Sequence, residues 1–253
     1  MSKSFFILVA ALGLSVGAVA QTFDIYEAKT SDVDSASYPV VVFVHGGAWV
    51  SGNKSQYKIL GEALASNKVC AVIVDYTLAP QAKHPQPVNE LEKVIGELAK
   101  RKQGRCWWDR MYLVGHSAGA HMIAMWNATY ENSSVKGFVG LEGIYDVEHL
   151  VKIWPGYKDW FVVKAFGGDE KKWKDASPRG LKMKSKAPWL VVHSDKDELV
   201  DVEQSFDLDK ALRGQGLESK LVRLKTGTHF GVIDSLHEPN SDLSKRVLEF
   251  VSR

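Results

Sequence analysis

Short apolar runs recur along the chain and alternate with stretches whose apolar residues fall at helical spacing. Several runs are almost continuous in β-branched and other apolar residues, which is typical of strands covered on both faces of a sheet. The predicted strands are residues 23–28, 40–44, 70–74, 111–114, 137–141, 189–192 and 220–224.

Amphipathic segments separate these strands. One begins at Pro87 and keeps its helical spacing as far as Leu98, and further helices are predicted at 118–130, 203–213 and 241–251. Strands that alternate with helices predict right-handed βαβ units. We therefore expect an α/β fold with a mostly parallel central sheet flanked by helices.

Residues 1–20 have the pattern of a signal peptide. Lys3 provides a basic start, residues 5–18 form an apolar core, and Ala18 begins a small-x-small cleavage site before Gln21. The alternative is a membrane anchor, although a spanning helix needs about 20 apolar residues. We expect a secreted protein, extracellular or periplasmic, that begins at Gln21 and has no stable membrane insertion after cleavage.

Composition narrows the function classes. The chain has 253 residues, 45% of them hydrophobic, and a formal net charge of only +2. Because the basic residues are scattered, a nucleic-acid partner is not expected. No group of His, Cys or carboxylate residues has metal-ligand spacing, so neither a metal nor a cofactor is predicted.

The two cysteines, Cys70 and Cys106, precede or begin predicted strands at the same end of the sheet. In an oxidising compartment they form either a disulfide or two buried thiols. Asn53, Asn127 and Asn132 stand in Asn-x-Ser/Thr sequons and are candidate glycosylation sites if the host glycosylates.

Gly115-His116-Ser117-Ala118-Gly119 directly follows the strand at 111–114. A strand that delivers a serine onto a sharp turn, followed by a helix, is the setting of a nucleophile elbow. The flanking glycines leave room for the turn and keep the serine oxygen accessible. Ser117 is therefore the candidate nucleophile.

A serine hydroxyl needs a general base, and the base needs a carboxylate that orients it. Asp195, Asp197 and Asp201 follow the strand at 189–192 and are the candidate acids. His229 follows the last strand and is the preferred base, with His237 as its alternative.

Other histidines receive structural interpretations. His45 is predicted to brace the loop after the first long strand, and His121 to pack behind Ser117. His84, His149 and His193 are predicted to lie in loops or on the surface.

The sequence His45-Gly46-Gly47-Ala48-Trp49 follows the strand at 40–44. An oxyanion that develops during acyl transfer requires preorganised N–H donors. The predicted donors are the backbone N–H groups of Gly47, Ala48 and Ala118.

These motifs resemble the α/β-hydrolases, in the branch of hormone-sensitive-lipase-like esterases, kynurenine formamidases and isoprenylcysteine methylesterases. The resemblance rests on residues 45–49, 75–80 and 115–121, together with Asp197 and His229. It implies an α/β-hydrolase domain at 21–253 in which Asp197, three residues before Val200, is the acid. Ala48 departs from the third glycine of the lipase-like branch.

Residues 145–186 interrupt the strand–helix alternation and are rich in tryptophan. The segment is interpreted as a small cap insertion over the catalytic end of the sheet, with ordinary packing helices as the alternative. Trp49, Tyr76, Trp154 and Trp160 are the candidate substrate-binding residues.

The expected function is a secreted, carboxylesterase-like serine hydrolase that cleaves small apolar or aromatic esters through an acyl-enzyme. One alternative is an arylformamidase that hydrolyses N-formyl amides. A second is a non-catalytic binding protein with the same fold. The expected partner is a small-molecule ester or amide.

Overall fold

The computed structural model describes residues 22–29 and 37–253. The predicted signal peptide at 1–20 lies outside the described residues. The described part contains a seven-stranded sheet whose strands are β1 (Phe23–Tyr26), β2 (Tyr38–Val44), β3 (Cys70–Val74), β4 (Cys106–His116), β5 (Val135–Leu141), β6 (Trp189–Ser194) and β7 (Ser219–Leu224).

The strands lie in the order β1-β3-β2-β4-β5-β6-β7. β1 pairs with β3 in the antiparallel direction, and all other neighbours are parallel. The predicted α/β fold with a mostly parallel sheet is confirmed.

The helices are α1 (Lys58–Ser66), α2 (Gln86–Leu98), α3 (Ala118–Thr129), α4 (Val147–Ile153), α5 (Val163–Phe166), α6 (Glu203–Gly214), α7 (Gly231–His237) and α8 (Asp242–Val251). Helices α1 and α7 were not predicted from the sequence. Both are short, so each presents only two turns or so of apolar spacing, which is a weak signal.

Alternate residues of each strand pack on opposite faces of the sheet. Along β2, Val40, Val42 and Val44 belong to the core shared with α2, α3 and α6. Val41 and Phe43 belong to the core shared with α1, α7 and α8. Burial of such side chains stabilises the fold by about 1.5–3 kcal/mol each, before the chain entropy is subtracted. The sheet is therefore rigidly held between two layers of helices.

Cys70 begins β3 and Cys106 begins β4, and their sulfur atoms are bonded. Of the two possibilities that the sequence left open, the structure has the disulfide. Parallel strands that begin together place the bond at the amino end of the sheet.

Residues 145–186 contain α4, a π-helical turn at Lys158–Val162, α5 and two short 3-10 turns. Tyr145, Val147 and Leu150 are fully buried in the main core. Trp160 is 58% exposed. The first part of the segment thus packs as ordinary core, whereas the part around Trp160 faces outward. Among the helices of the described residues, none is long and apolar enough to cross a membrane.

Candidate active site

The carboxyl ends of the parallel strands bring four loops together at one edge of the sheet. Ser117 follows β4, the loop at 45–49 follows β2, Asp197 follows β6 and His229 follows β7. This edge is where ligands bind in open α/β sheets. It therefore carries the candidate site.

Ser117 has a strained backbone, with φ 54° and ψ −117°, between β4 and α3. A Cβ atom on Gly119 would lie 2.0 Å from the Val44 carbonyl oxygen. On Gly115 it would lie 2.4 Å from the Gly119 carbonyl oxygen. The two glycines are thus required by close backbone approach, and the turn has the geometry of a nucleophile elbow.

The loop after β2 makes a tight turn. Gly47 has φ 109°, and its carbonyl oxygen accepts hydrogen bonds from the N–H groups of Val50 and Ser51, both at 3.0 Å. Gly47 and Ala48 line the same cavity as Ser117. Ala118 is the first residue of α3, so its N–H has no intrahelical acceptor. The three N–H groups predicted to bind an oxyanion thus belong to segments that meet at Ser117.

His45 and Tyr76 hold this loop from behind. The His45 Nδ1–H donates to the Gly46 carbonyl at 2.7 Å. The Tyr76 hydroxyl donates to the His45 carbonyl at 3.2 Å, and the two rings stack with centroids 4.5 Å apart. Both side chains are buried. His45 occupies the bracing position expected of it.

His229 Nδ1–H donates to Asp197 Oδ2 at 2.8 Å. Asp197 Oδ1 in turn accepts the N–H groups of Leu199 at 2.8 Å and Val200 at 2.9 Å. The loop after β6 thus fixes the carboxylate, and the carboxylate fixes the imidazole. His229 also lines the cavity that contains Ser117.

The alternative acids and base lie elsewhere. Asp195 forms ion pairs with Arg223 and, at 3.0 Å, with Lys225. Asp201 accepts a hydrogen bond from His149 at 2.9 Å. His237 lies at the end of α7, 3.9 Å from Asp234. Of the candidates, the structure brings together Asp197 and His229.

The environment favours opposite charges on the pair. Burial alone would raise the pKa of Asp197, but its neighbours His193, His229 and Glu142 outweigh it and lower the pKa far below its usual range. Burial alone would lower the pKa of His229, but the carboxyl group of Asp197, which accepts its Nδ1–H, and that of Glu142 nearby outweigh it and raise the pKa. The pair therefore stabilises an imidazolium, as a general base requires.

Glu142 is a second carboxyl group at His229, and it was not predicted from the sequence. It is fully buried, and its Oε2 lies 3.3 Å from His229 Nδ1. Glu142 directly follows the predicted strand at 137–141, so its place at the edge that carries Ser117 was a usable signal.

His193 corrects a prediction. It was expected in a loop or on the surface, but it lies on β6 and is fully buried. Its Nδ1 accepts from the Ser205 hydroxyl at 2.8 Å, and its Nε2–H donates to the Val200 carbonyl at 3.1 Å. Nε2 also lies 3.4 Å from Asp197 Oδ2. His193 thus supports the acid loop because β6 extends two residues further than predicted.

Three buried side chains, His116, Glu142 and His229, bring potential metal-ligand atoms within 4.8 Å of one another. His116 Nε2–H donates to the His229 carbonyl at 2.8 Å. The sequence spacing did not reveal this group because its members follow three different strands. These contacts hold the Asp197–His229 pair, which gives each residue a role that needs no metal.

The cavity at Ser117 has a volume of about 240 Å³. One wall is formed by Tyr157, Trp160 and Phe161, and Phe230 stands beside His229. The remaining lining residues are Gly47, Ala48, Val50, Ser51, Ile144, Leu199 and Val200. This volume lies slightly below the usual range of ligand sites, roughly 300–1,000 Å³, and so favours a small ligand.

Of the four predicted substrate-binding residues, Trp160 alone lines the cavity. Trp49 is 3% exposed and packs edge-on against Phe166 at 4.7 Å, behind the oxyanion loop. Tyr76 braces that loop, and Trp154 stacks on Tyr157 at 5.8 Å, outside the lining. These positions correct the expectation for Trp49, Tyr76 and Trp154, because local packing takes up their aromatic faces.

The sequons differ in accessibility. Asn127 is fully buried, and its side chain accepts the Ser185 N–H at 2.9 Å, so a glycan does not fit there in the folded protein. Asn53 is exposed and caps the short helical turn before α1. Asn132 is half-buried in the turn before β5.

The BD-FAE family model matches residues 23–212. This span includes β1 through α6 and all of the elbow, oxyanion loop and acid loop. The chain belongs to the BD-FAE family. His229 lies outside the span that the family model matches.

Curated relatives of this BD-FAE chain fall in the groups that its motifs resemble. Esterase LipC from Mycobacterium tuberculosis is 27% identical over 77% of this chain and 52% of its own length. A kynurenine formamidase from Danio rerio is 25% identical over 93% of this chain and 80% of its own. A probable isoprenylcysteine alpha-carbonyl methylesterase from Arabidopsis thaliana is 29% identical over 81% and 53%. The chain thus spans about half the length of two of these three relatives.

Solved structures agree on the fold of this BD-FAE chain. A truncated carbohydrate esterase from gut microbiota aligns with a TM-score of 0.75 over 91% of each chain, at 18% identity. Esterase B from Lactobacillus rhamnosis, in a phosphonate-inhibited form, aligns with a TM-score of 0.76 over 92% of this chain and 80% of its own. The α/β-hydrolase fold predicted from the motifs is confirmed.

Proposed function

We propose that this chain is a secreted, carboxylesterase-like serine hydrolase that cleaves small apolar or aromatic esters. The observation that carries the proposal is the meeting of Ser117, the Asp197–His229 pair and the Gly47–Ala48 loop at one apolar cavity. Relatives that are named as esterases support the reaction class.

The mechanism follows from these groups. His229 removes the proton of Ser117 as the serine oxygen attacks the ester carbonyl, and Asp197 stabilises the resulting imidazolium. The N–H groups of Gly47, Ala48 and Ala118 bind the oxyanion of the tetrahedral intermediate. His229 then protonates the leaving alcohol, and water releases the acyl group from Ser117 by the same steps.

The cavity wall favours an uncharged acyl or alkyl group. His229 is the only titratable side chain of its lining besides the Tyr157 hydroxyl, and among the described residues no Lys, Arg, Asp or Glu lines it. Apolar groups bind there by burial. A zwitterionic substrate would find no countercharge, so a neutral ester fits the lining best.

The formamidase alternative has one specific observation behind it, the alignment with the zebrafish kynurenine formamidase over 93% of this chain. The same triad serves an N-formyl amide, because the attacked carbonyl and the oxyanion are alike. The two substrates differ in the leaving group, an alcohol or an amine, and in the substituent that packs against the aromatic wall of the cavity.

Secretion is part of the proposal. The Cys70–Cys106 disulfide supports it, because disulfides persist in oxidising compartments and are rare in reducing ones. Expression of the full chain in a secreting host, followed by N-terminal sequencing of the medium or periplasm, tests it. A mature protein that begins at Gln21 is expected, and retention of the uncleaved chain in cells would contradict secretion.

A fluorophosphonate probe tests the reaction class. We expect it to label Ser117 in the wild-type protein and to leave the S117A variant unlabelled. Equal labelling of both, or no labelling of the folded wild-type protein, would favour the binding-protein alternative. Comparison of kcat/KM for p-nitrophenyl acetate and N-formylkynurenine then separates esterase from formamidase. A far higher value for the formyl amide would overturn the ester proposal.

A further inference from the structure

Glu142 is a buried carboxyl group that no step of the proposed mechanism uses. It directly follows β5, and its backbone has φ 49°, a conformation that is uncommon for residues with side chains. Its N–H donates to the Val192 carbonyl at 2.9 Å, which holds the strained backbone in place. Strain of this kind persists where the surrounding structure fixes it, and it concentrates at functional sites.

The two carboxyl oxygens of Glu142 differ in their hydrogen bonds. Its Oε1 accepts the Ser194 N–H at 3.2 Å. Its Oε2 lies 3.3 Å from His229 Nδ1, but the single hydrogen on that nitrogen points to Asp197, which is nearer at 2.8 Å. An ionised Oε2 therefore has no hydrogen-bond partner of its own in this buried position. Leaving such an atom unpaired is costly.

A proton on Glu142 resolves this conflict. Glu142 Oε2 and Asp197 Oδ2 both approach His229 Nδ1, at 3.3 and 2.8 Å, and two ionised carboxylates in one buried site repel strongly. Asp197 keeps the charge because the N–H groups of Leu199, Val200 and His229 donate to it. Glu142 has one backbone donor. The proton therefore belongs on Oε2, where it donates to Asp197, and burial accordingly raises the pKa of Glu142 to about 8.

Other titratable groups near Glu142 do not change this assignment. Burial lowers the pKa of His116 to about 3, so His116 is neutral. Both ring nitrogens of His193 have partners other than Glu142, the Ser205 hydroxyl at 2.8 Å and the Val200 carbonyl at 3.1 Å. His229 is the one neighbour on the facing elements that gains a positive charge, and Asp197 is the carboxylate that balances it.

We propose that Glu142 is a positioning residue of this site, whose protonated carboxyl group donates a hydrogen bond to Asp197 and thereby holds the aspartate against His229. The inference rests on the proposed hydrolytic function. It adds a second carboxyl group behind His229, directly after a strand that is followed by none of the triad residues.

The arrangement also makes Glu142 a reserve acceptor. When Asp197 is replaced by asparagine, the like-charge repulsion disappears, and Glu142 is free to ionise. Its Oε2 then accepts the Nδ1–H of His229 from 3.3 Å. A merely structural role for Glu142 would not depend on the charge of Asp197.

The test is the cost of E142Q in two backgrounds. In the wild-type protein, glutamine keeps an acceptor for the Ser194 N–H but replaces the carboxyl proton by a weaker amide donor toward Asp197, so we expect a loss of kcat of about threefold on p-nitrophenyl acetate. In D197N the same substitution removes the reserve carboxylate, and a further loss of at least about tenfold is expected from coupled neighbours. D201N is the matched control, because Asp201 pairs with His149 outside the site, and its cost should be small and equal in both backgrounds.

An equal cost of E142Q in both backgrounds would overturn the proposal. Infrared spectroscopy of S117A supplies a second measurement that needs no change at Glu142. A carbonyl band of a buried, protonated carboxylic acid is expected at pH 7 and should disappear as the pH rises past about 8. Absence of the band at pH 7 overturns the proposal even if E142Q does not fold. Absence of ester hydrolysis and of probe labelling in the wild type would instead reject the proposed function, while the infrared test of Glu142 would still apply.

Discussion

Asp195 and Asp197 are two residues apart in the chain and have opposite surroundings. Asp197 is buried and hydrogen-bonded to His229, whereas Asp195 faces Arg223 and Lys225 near the surface. Only a buried acceptor fixes the imidazole tautomer and stabilises its positive charge. Burial against His229 thus makes Asp197 the candidate acid, whereas Asp195, two residues earlier in the same loop, forms surface ion pairs.

We expect D197N to lower kcat by roughly two to four orders of magnitude, because an amide stabilises an imidazolium poorly. The loss is smaller than in a site with one carboxyl group if Glu142 substitutes for the aspartate. D195N should stay near wild-type activity. Ester hydrolysis by both purified variants measures the difference, and a larger loss in D195N would move the acid to Asp195.

Ser117 and His229 act as one unit in the proposed mechanism. S117A and H229A should each lower kcat by several orders of magnitude, and the double variant should be little worse than either single variant. Circular dichroism of each variant checks that it is folded. Multiplicative losses in the double variant would contradict a shared nucleophile–base pair.

Individual site residues were predicted most readily where they belong to a glycine-containing sequence motif. Ser117 and the Gly47–Ala48 loop follow strands in recognisable glycine patterns. Glu142 was missed because its place directly after the strand at 137–141 is a single weak signal, and its partners lie on β6 and after β7. Trp49 and Tyr76 were misplaced because a sequence shows that an aromatic is near a site but not which way its ring packs.

At the scale of elements, the elbow between β4 and α3 depends on close backbone contact. The G119A variant places a Cβ atom 2.0 Å from the Val44 carbonyl oxygen, so we expect destabilisation of roughly 1–3 kcal/mol or more. Gly96, within α2, provides a matched control, because a methyl group added there would meet nothing within 4 Å. G96A should stabilise by roughly 0.5–1 kcal/mol, since alanine favours helix. Thermal melts should therefore shift in opposite directions, and equal shifts would contradict the packing argument.

The wall formed by residues 157–161 should govern which ester binds. W160A removes an aromatic face from the cavity, so we expect KM and the ranking of esters by size to change more than kcat on p-nitrophenyl acetate. W154A is the control, because Trp154 only stacks on Tyr157 from outside the lining. Steady-state kinetics with acetate, butyrate and benzoate esters measure the effect. Unchanged kinetics for W160A with every ester would remove Trp160 from substrate binding.

Strand positions were predictable because buried parallel strands are nearly continuous apolar runs. The short helices α1 and α7 were not, since two turns give too little periodicity to separate from a loop. For residues 145–186 the sequence left open a cap over the catalytic end of the sheet or ordinary packing helices, and the segment contains elements of both. The segment is core at Tyr145 and Leu150 and cavity wall at Trp160, and no local signal marks the change.

At the scale of the whole molecule, the two ends of the sheet serve different purposes. The candidate reactive groups lie at the carboxyl end, whereas the Cys70–Cys106 bond lies at the amino end. The chain-entropy model assigns a bond between cysteines 36 residues apart roughly 3–4 kcal/mol, less any strain.

We expect the C70A/C106A variant to melt at a markedly lower temperature and to keep its kcat at temperatures where it is folded. Calorimetry and ester hydrolysis at low temperature measure the two properties separately. Peptide mapping of the non-reduced wild-type protein should yield the linked pair. Two free thiols in the non-reduced wild-type protein would contradict the disulfide. A loss of kcat in the variant without a change in melting temperature would contradict a purely stabilising role for the bond.

The position of the aromatic wall has a consequence for how such a protein diversifies. Tyr157, Trp160 and Phe161 come from one stretch of five residues, while the proposed nucleophile, base, acid and oxyanion donors come from four other loops. Substitutions in that stretch would therefore change the wall of the cavity without replacing any of the proposed reactive groups. For a designer, the codons of Tyr157, Trp160 and Phe161 define a library small enough to screen completely.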